Sequence, residues 1–145
     1  MDIKRIVVGT TVGYIVLQAL YYLVFDNLFG AFYVANAVTP DVLKTPYLQW
    51  ANAVNLIAAA LMVSLALELK GGKPSAGSGA VIGAVIGLLV WTQGDFYYYA
   101  ATNVYQFVVA IVDPLLSAVV LAIVGAAIAV VFGRMPKGAG LQAAE

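Results

Sequence analysis

Two aspartates lie inside long apolar segments of the sequence, where an ionisable side chain is costly. Asp95 follows Gly79 by about sixteen residues, or about 24 Å along a helix, and Asp113 follows Val104 by about nine residues, or about 13 Å. A carboxyl group at such depth in a membrane usually faces the protein interior and marks a functional site. Each carboxyl is therefore expected to be protonated, to accept hydrogen bonds from Tyr, Asn or Gln, or to face water.

Polar and aromatic residues gather at the same end of the predicted helices as these aspartates. Asn52 and Asn55 are three residues apart and share one helix face. We predict a polar cleft with aromatic walls that binds a ligand through Gln18, Tyr22, Asn52, Asn55, Gln93, Asp95 and Asp113. Three simpler interpretations stay open: Tyr and Trp collect at membrane interfaces, Asn side chains bridge helices, and Asp113 caps a helix.

The composition of the 145-residue chain excludes several classes of protein. Hydrophobic residues make up 63% and charged residues 10%, which excludes an ordinary soluble domain. The chain has no cysteine and no histidine, so it lacks the usual ligands of zinc, haem and iron and the usual general base. The net charge is zero, without a basic patch for nucleic acid. We predict no metal, no cofactor and no catalysis.

Four apolar segments are each long enough to cross a bilayer core of about 30 Å. The predicted fold is all-α, a four-helix transmembrane bundle forming a single membrane domain over residues 1–145, with helices at about 3–25, 46–69, 79–101 and 104–132. Six of the seven Lys and Arg residues lie near the termini or in the linker between the second and third helices. Because Lys and Arg collect on the cytoplasmic side, both termini are predicted to be cytoplasmic.

Two prolines indicate where the second and fourth helices could begin. Thr45 and Pro46 match an N-cap followed by a proline in the first turn. The fourth helix begins either at Val104, with Pro114 inside it as a kink, or at Pro114, with Asp113 as its cap. We favour the longer, kinked helix because residues 104–112 are mostly apolar.

Small residues recur at four-residue spacing in the halves of the helices that are predicted to be cytoplasmic. Such rows let helix backbones approach closely in lipid, where packing drives association. We therefore predict helix-packing roles for Gly9, Gly13, Gly83, Gly87, Ala122 and Gly125, with the third helix packed against the first or the fourth. Glu68, beside Lys70, is expected to be a charge at the membrane interface.

The second half of the chain, residues 83–131, resembles small bacterial four-helix inner-membrane protein families of unknown function. The likeness rests on the Gly79-Gly83-Gly87 row, Asp95, Thr102-Asn103, Val112-Asp113 and Ser117-Ala118, and in the first half on Asp26 with Phe32-Tyr33. The resemblance implies a four-helix inner-membrane protein and implies no activity.

Two functions of different class fit these observations. The first is an accessory or structural subunit of a larger membrane complex, without catalysis of its own, because the sequence has little outside its membrane segments and lacks a catalytic constellation. The second is a small binder or carrier of a lipid or apolar molecule, which would use the predicted cleft. The expected partners are membrane lipids and other membrane subunits or a second copy, and not nucleic acid. The expected location is a bacterial inner membrane, crossed several times.

Overall fold

The computed structural model describes residues 1–39 and 49–135 of the chain, and these residues form helices joined by short connections. Helix α1 continues directly into a π-helical segment, and a short helix, α2, follows it. The elements are α1 (Ile3–Tyr21), the π-helical segment (Tyr22–Leu28), α2 (Gly30–Ala35), α3 (Gln49–Lys70), α4 (Ala76–Ala101) and α5 (Phe107–Arg134). The all-α prediction is confirmed.

Within the described ranges, four helical stretches are long and apolar enough to cross a membrane. They are Ile3–Leu28, Trp50–Lys70, Ala76–Ala101 and Phe107–Arg134. Many large apolar side chains on these stretches are exposed, as expected for helices whose outer faces meet lipid tails. The predicted four-helix transmembrane bundle is therefore confirmed, whereas the predicted helix start at Pro46 lies outside the described residues.

The two ends of the bundle differ, and we name them by their contents. The start of α1, the end of α3, the start of α4 and the end of α5 meet at one end, called here the terminal end. Gly71 and Gly72 at this end have positive φ angles of 71° and 68°, which end α3 and turn the chain towards α4. Ser75 and Ser78 then form a reciprocal capping box that starts α4. The opposite end is called the cleft end.

Helices α4 and α5 are in backbone-to-backbone contact along one row of small residues. A methyl group added to Gly79, Gly83 or Gly87 would collide with the backbone carbonyl of Gly125, Leu121 or Ser117 respectively. Ala122 lies beside this row, where its backbone nitrogen would be 3.3 Å from a Cβ on Gly83. Only glycine permits this approach, because any Cβ would occupy the space of the neighbouring main chain.

Helix α1 joins the bundle through its own pair of glycines. A Cβ on Gly9 would lie 2.9 Å from the Ser64 hydroxyl, and one on Gly13 would lie 2.7 Å from the Ile128 side chain. Helices α1, α3 and α5 enclose a buried apolar core that includes Leu17, Leu56, Val63, Val124, Ile128 and Phe132. Tight packing at the glycines therefore holds three helices around one core.

Helix α5 begins at Phe107 and contains Pro114 in its interior. The longer of the two predicted forms is therefore the observed one, although it starts three residues after Val104. Residues 104 and 106 instead bond to the chain that follows α2, which keeps them out of the helix. The alternative of Asp113 as a helix cap is wrong, because Asp113 lies two turns inside α5.

A buried ion pair closes the terminal end. Arg5 Nη1 lies 3.1 Å from Glu68 Oε2, and both side chains are only 3% exposed. Arg5 also donates a hydrogen bond to the Phe132 carbonyl at 3.3 Å and stacks on the Phe132 ring, while the Asp2 amide donates to Glu68 at 2.9 Å. The position of Glu68 at the membrane interface stays a prediction, but its side chain is buried and paired with Arg5 rather than extended towards solvent.

Candidate functional site

The cleft end is built around the π-helical segment that extends α1. In this segment the backbone is wider than in an α-helix, and such segments occur often at functional sites. It carries Phe25 and Asp26, which both line the main cavity at this end. Phe25 also stacks on Tyr21, with ring centroids 5.0 Å apart, so the segment supplies one aromatic wall.

Helix α2 and the chain after it are fastened to the connection between α4 and α5. The Val38 amide donates to the Val104 carbonyl at 2.9 Å, and the Gln106 amide donates to the Asn36 carbonyl at 3.0 Å. An isolated antiparallel bridge between Ala37 and Tyr105 lies between these two bonds. These contacts hold α2 across the cleft end and thereby bring Tyr33 to the aspartates.

A tyrosine and two carboxyl groups form the polar centre of the cleft. The Tyr33 hydroxyl donates a hydrogen bond to Asp113 Oδ1 at 2.6 Å. The carboxyl groups of Asp113 and Asp95 lie within hydrogen-bonding reach of each other. Asp95 Oδ2 is buried, and it accepts no hydrogen bond from an N–H or hydroxyl group of the described residues. Two acidic groups from different helices therefore share one small volume, and the Tyr33 hydroxyl donates to one of them.

Burial raises the pKa of the Tyr33 hydroxyl well above its usual value. The hydrogen bond that the hydroxyl donates to Asp113 raises this pKa further, because the deprotonated oxygen could not donate it. The electrostatic effect of Asp113 and Asp95 acts in the same direction, because it disfavours another negative charge nearby. The hydroxyl therefore stays protonated at physiological pH and acts as a hydrogen-bond donor.

A cavity of about 750 Å³, called here the main cleft, opens beside this centre. Its lining includes Tyr21, Phe25, Tyr33, Asn52, Asn55, Trp91, Asp95, Tyr98, Tyr105 and Asp113. A neighbouring cavity of about 580 Å³ lies between α1 and α3 and is lined in part by Tyr14, Gln18, Tyr22, Trp50 and Asn52. Because Tyr21, Asp26 and Asn52 line both cavities, the two spaces adjoin.

The structure distributes the seven predicted cleft residues over three places. Asn55, Asp95 and Asp113 line the main cleft, and Asn52 lines both cavities. Gln18 and Tyr22 line only the neighbouring cavity. Gln93 lines neither, and its side chain is exposed. It differs in this from Asp95, which lies two residues further along α4 and therefore on another face of the helix.

Sequence analysis missed the hydrogen-bond partner of Asp113. A Tyr, Asn or Gln donor was expected, and Asn52, Asn55 and Gln93 were the amides predicted for the cleft, whereas the observed donor is Tyr33 on α2. Tyr33 was not among the predicted cleft residues and entered only through the Phe32-Tyr33 pair of the family resemblance. The signal that could have identified Tyr33 is its place in the aromatic pair Phe32-Tyr33. This pair lies in a connection that is too short to extend far from the helix ends.

No protein-family model, no curated protein and no solved structure matches this chain. The chemistry of the cleft therefore has to be judged from its own groups. They supply acidic side chains, hydrogen-bond donors from Tyr33 and the asparagine amides, and broad aromatic surfaces. Within residues 1–39 and 49–135, the acidic groups form no cluster of three that could hold a metal ion.

Proposed function

We propose that this protein binds a lipid or another apolar molecule in the main cleft. The observation that carries the proposal is a cavity of about 750 Å³ that combines aromatic walls with a few convergent polar groups. Ligand pockets typically have volumes of about 300–1,000 Å³ and this mixture of lining. Of the two functions that the sequence suggested, the binder is thus the one that the geometry favours.

The position of the polar groups supports binding by the head of such a molecule. Tyr33, Asp95 and Asp113 form one cluster, whereas Phe25 and Trp91 offer apolar surface in the same cavity. A ligand with one polar end and an apolar body would match both kinds of surface. An ionisable pair in a membrane-spanning helix is costly, and ligand recognition is a function that justifies such a cost.

A cavity-filling variant tests this proposal. Asn52→Phe places a ring in the wall shared by both cavities, so we expect it to lower the amount of co-purifying apolar molecule by about tenfold or more. Mass spectrometry of organic extracts of the purified protein measures that amount. Val54→Phe is the matched control, because Val54 lies on the same helix and is 60% exposed. Equal amounts in both variants, or no bound molecule in the parent protein, would contradict binding in the cleft.

The subunit hypothesis stays a second proposal, and one observation favours it. Tyr97, Tyr98 and Tyr99 form an aromatic run near the end of α4 whose side chains are all exposed. Aromatic side chains are enriched where proteins meet partners, although they are also common at membrane interfaces. The size of the natively extracted protein decides between the two, because a subunit migrates with a stoichiometric partner.

We also propose that the protein lies in a bacterial inner membrane with its terminal end in the cytoplasm. The five described Lys and Arg residues support this orientation, since all of them lie at the terminal end: Lys4, Arg5, Lys70, Lys73 and Arg134. The cleft would then open towards the outer leaflet.

Cysteine labelling tests the orientation in this cysteine-free chain. Ala76 and Ala101 are the first and last residues of α4, and both are exposed. A membrane-impermeant maleimide added to intact cells should label Ala101→Cys and leave Ala76→Cys unlabelled until the membrane is opened. The reverse pattern would invert the proposed orientation.

A further inference from the structure

We infer that the molecule bound in the main cleft carries a cationic head, of the ammonium class, on an apolar body. This inference rests on the proposed function, because it names the ligand chemistry of the same cleft. Three observations lead to it, namely the balance of charge, the surroundings of Asp95 and the aromatic walls.

The described lining of the main cleft contains acidic side chains and no basic ones. Asp26, Asp95 and Asp113 line the main cleft, and its described lining contains no Lys or Arg. The described basic side chains lie at the other end of the bundle, where Arg5 is already paired with Glu68. A cleft with acidic groups in surroundings of low dielectric attracts a cation and repels a carboxylate or phosphate head.

The surroundings of Asp95 indicate a missing positive partner. Its Oδ2 is buried and accepts no hydrogen bond from the described N–H and hydroxyl groups. The Asp113 carboxyl lies within hydrogen-bonding reach of Asp95, but it donates a hydrogen bond only in its protonated form. The Tyr33 hydroxyl donates its hydrogen bond to Asp113 and not to Asp95. A cation in the cleft beside the two aspartates would interact favourably with both carboxyl groups.

The walls of the cleft suit an ammonium group better than a neutral polar head. Tyr21, Phe25, Trp91 and Tyr98 all contribute aromatic side chains to the lining. The face of an aromatic ring attracts a cation, most strongly for Trp and where water is excluded. Aromatic surface and acidic groups together form the usual environment in which proteins recognise alkylammonium ions.

Three probes with alkyl chains of nearly equal length test the inference on the full-length protein in dodecyl maltoside micelles. Dodecyltrimethylammonium is cationic, dodecanol is neutral and dodecanoate is anionic, so the comparison isolates the charge of the head. The chain has two tryptophans, and both line the cavities, so the change in tryptophan fluorescence reports binding. We expect the cation to bind about tenfold or more tightly than dodecanol, and dodecanoate to bind most weakly.

Substitutions identify the charges that cause this preference. The Asp95→Asn/Asp113→Asn double variant keeps the size of both side chains and should lose the preference for the cation while it still binds dodecanol. Retained dodecanol binding shows that this variant is folded. Asp2→Asn is the matched control, because it removes one negative charge at the terminal end and retains an N-cap residue. This control should keep the preference of the parent protein.

The outcomes separate the inference from the proposed function. If none of the three probes binds, the cleft is not a binding site and both proposals are overturned. If dodecanol binds as tightly as the cation, or the double variant keeps the cation preference, only the cationic head is overturned.

Where the cation preference is observed, addition of dilauroyl phosphatidylethanolamine identifies the source of the ammonium group. Competition with the probe assigns it to a membrane lipid, and absence of competition assigns it to a free cationic amphiphile.

Discussion

Replacing Gly83 with alanine is expected to lower the free energy of unfolding by about 1–3 kcal/mol, the usual cost of overpacking a well-packed interior. The added methyl group would collide with the Leu121 carbonyl on α5. The obstacle is main chain rather than the end of a flexible side chain, so the two helices must separate along their row of glycines. Unfolding in mixed micelles, monitored by circular dichroism, measures the change.

Gly94 provides a control for this prediction in the same helix. A Cβ on Gly94 would meet no atom within 4 Å among the described residues. Gly94→Ala should therefore leave stability unchanged or raise it by up to about 1 kcal/mol, because alanine loses less backbone entropy than glycine in a helix. Equal destabilisation by the two substitutions would show that close packing of α4 against α5 is not the cause.

Arg5→Met is expected to have a larger effect, a loss of about 3–5 kcal/mol of unfolding free energy, the usual result of removing one partner of a buried ion pair. The variant leaves the Glu68 carboxylate buried without its arginine, which lies 3.1 Å away in the parent protein. It also removes the hydrogen bond to the Phe132 carbonyl and the contact with the Phe132 ring. The same unfolding measurement applies, with Lys4→Met as the control because Lys4 is exposed.

The double variant Arg5→Met/Glu68→Met distinguishes a lost charge partner from lost packing. Replacement of both members of a buried pair by apolar residues of similar size is often neutral or stabilising, since no charge then remains unpaired. We expect the double variant to recover most of the stability that Arg5→Met loses. A double variant as unstable as the single one would show that the packing of Arg5 on Phe132 matters more than its charge.

The membrane fold could be predicted from the sequence because its determinants are local. A stretch of apolar residues must form its backbone hydrogen bonds within itself in lipid, so its length alone predicts a spanning helix. The glycine row of the third predicted helix indicated close packing in the same way, although the sequence left its partner undecided between two helices. In the structure the partner is α5, because a side chain on Gly83 or Gly87 would collide with the α5 backbone.

The residue pairs that meet at the two ends of the bundle could not be predicted from the sequence, because they depend on how the helices pack. Arg5 and Glu68 are far apart in the chain and meet only because α1 packs beside α3. Tyr33 reaches Asp113 only because backbone bonds to residues 104 and 106 hold α2 across the cleft.

The all-α membrane fold, its four apolar helices and the two costly aspartates in them could all be predicted from the sequence. Composition and helical periodicity carry this information, and both can be read along one segment at a time. How the helices pack places Asp95 beside Asp113, keeps Gln93 apart from them and adds Tyr33 to the group, and none of this follows from one segment alone. The physical reason is that hydrogen bonds and charge interactions act over a few ångströms, and the rotation of each helix about its axis determines which side chains come within that distance.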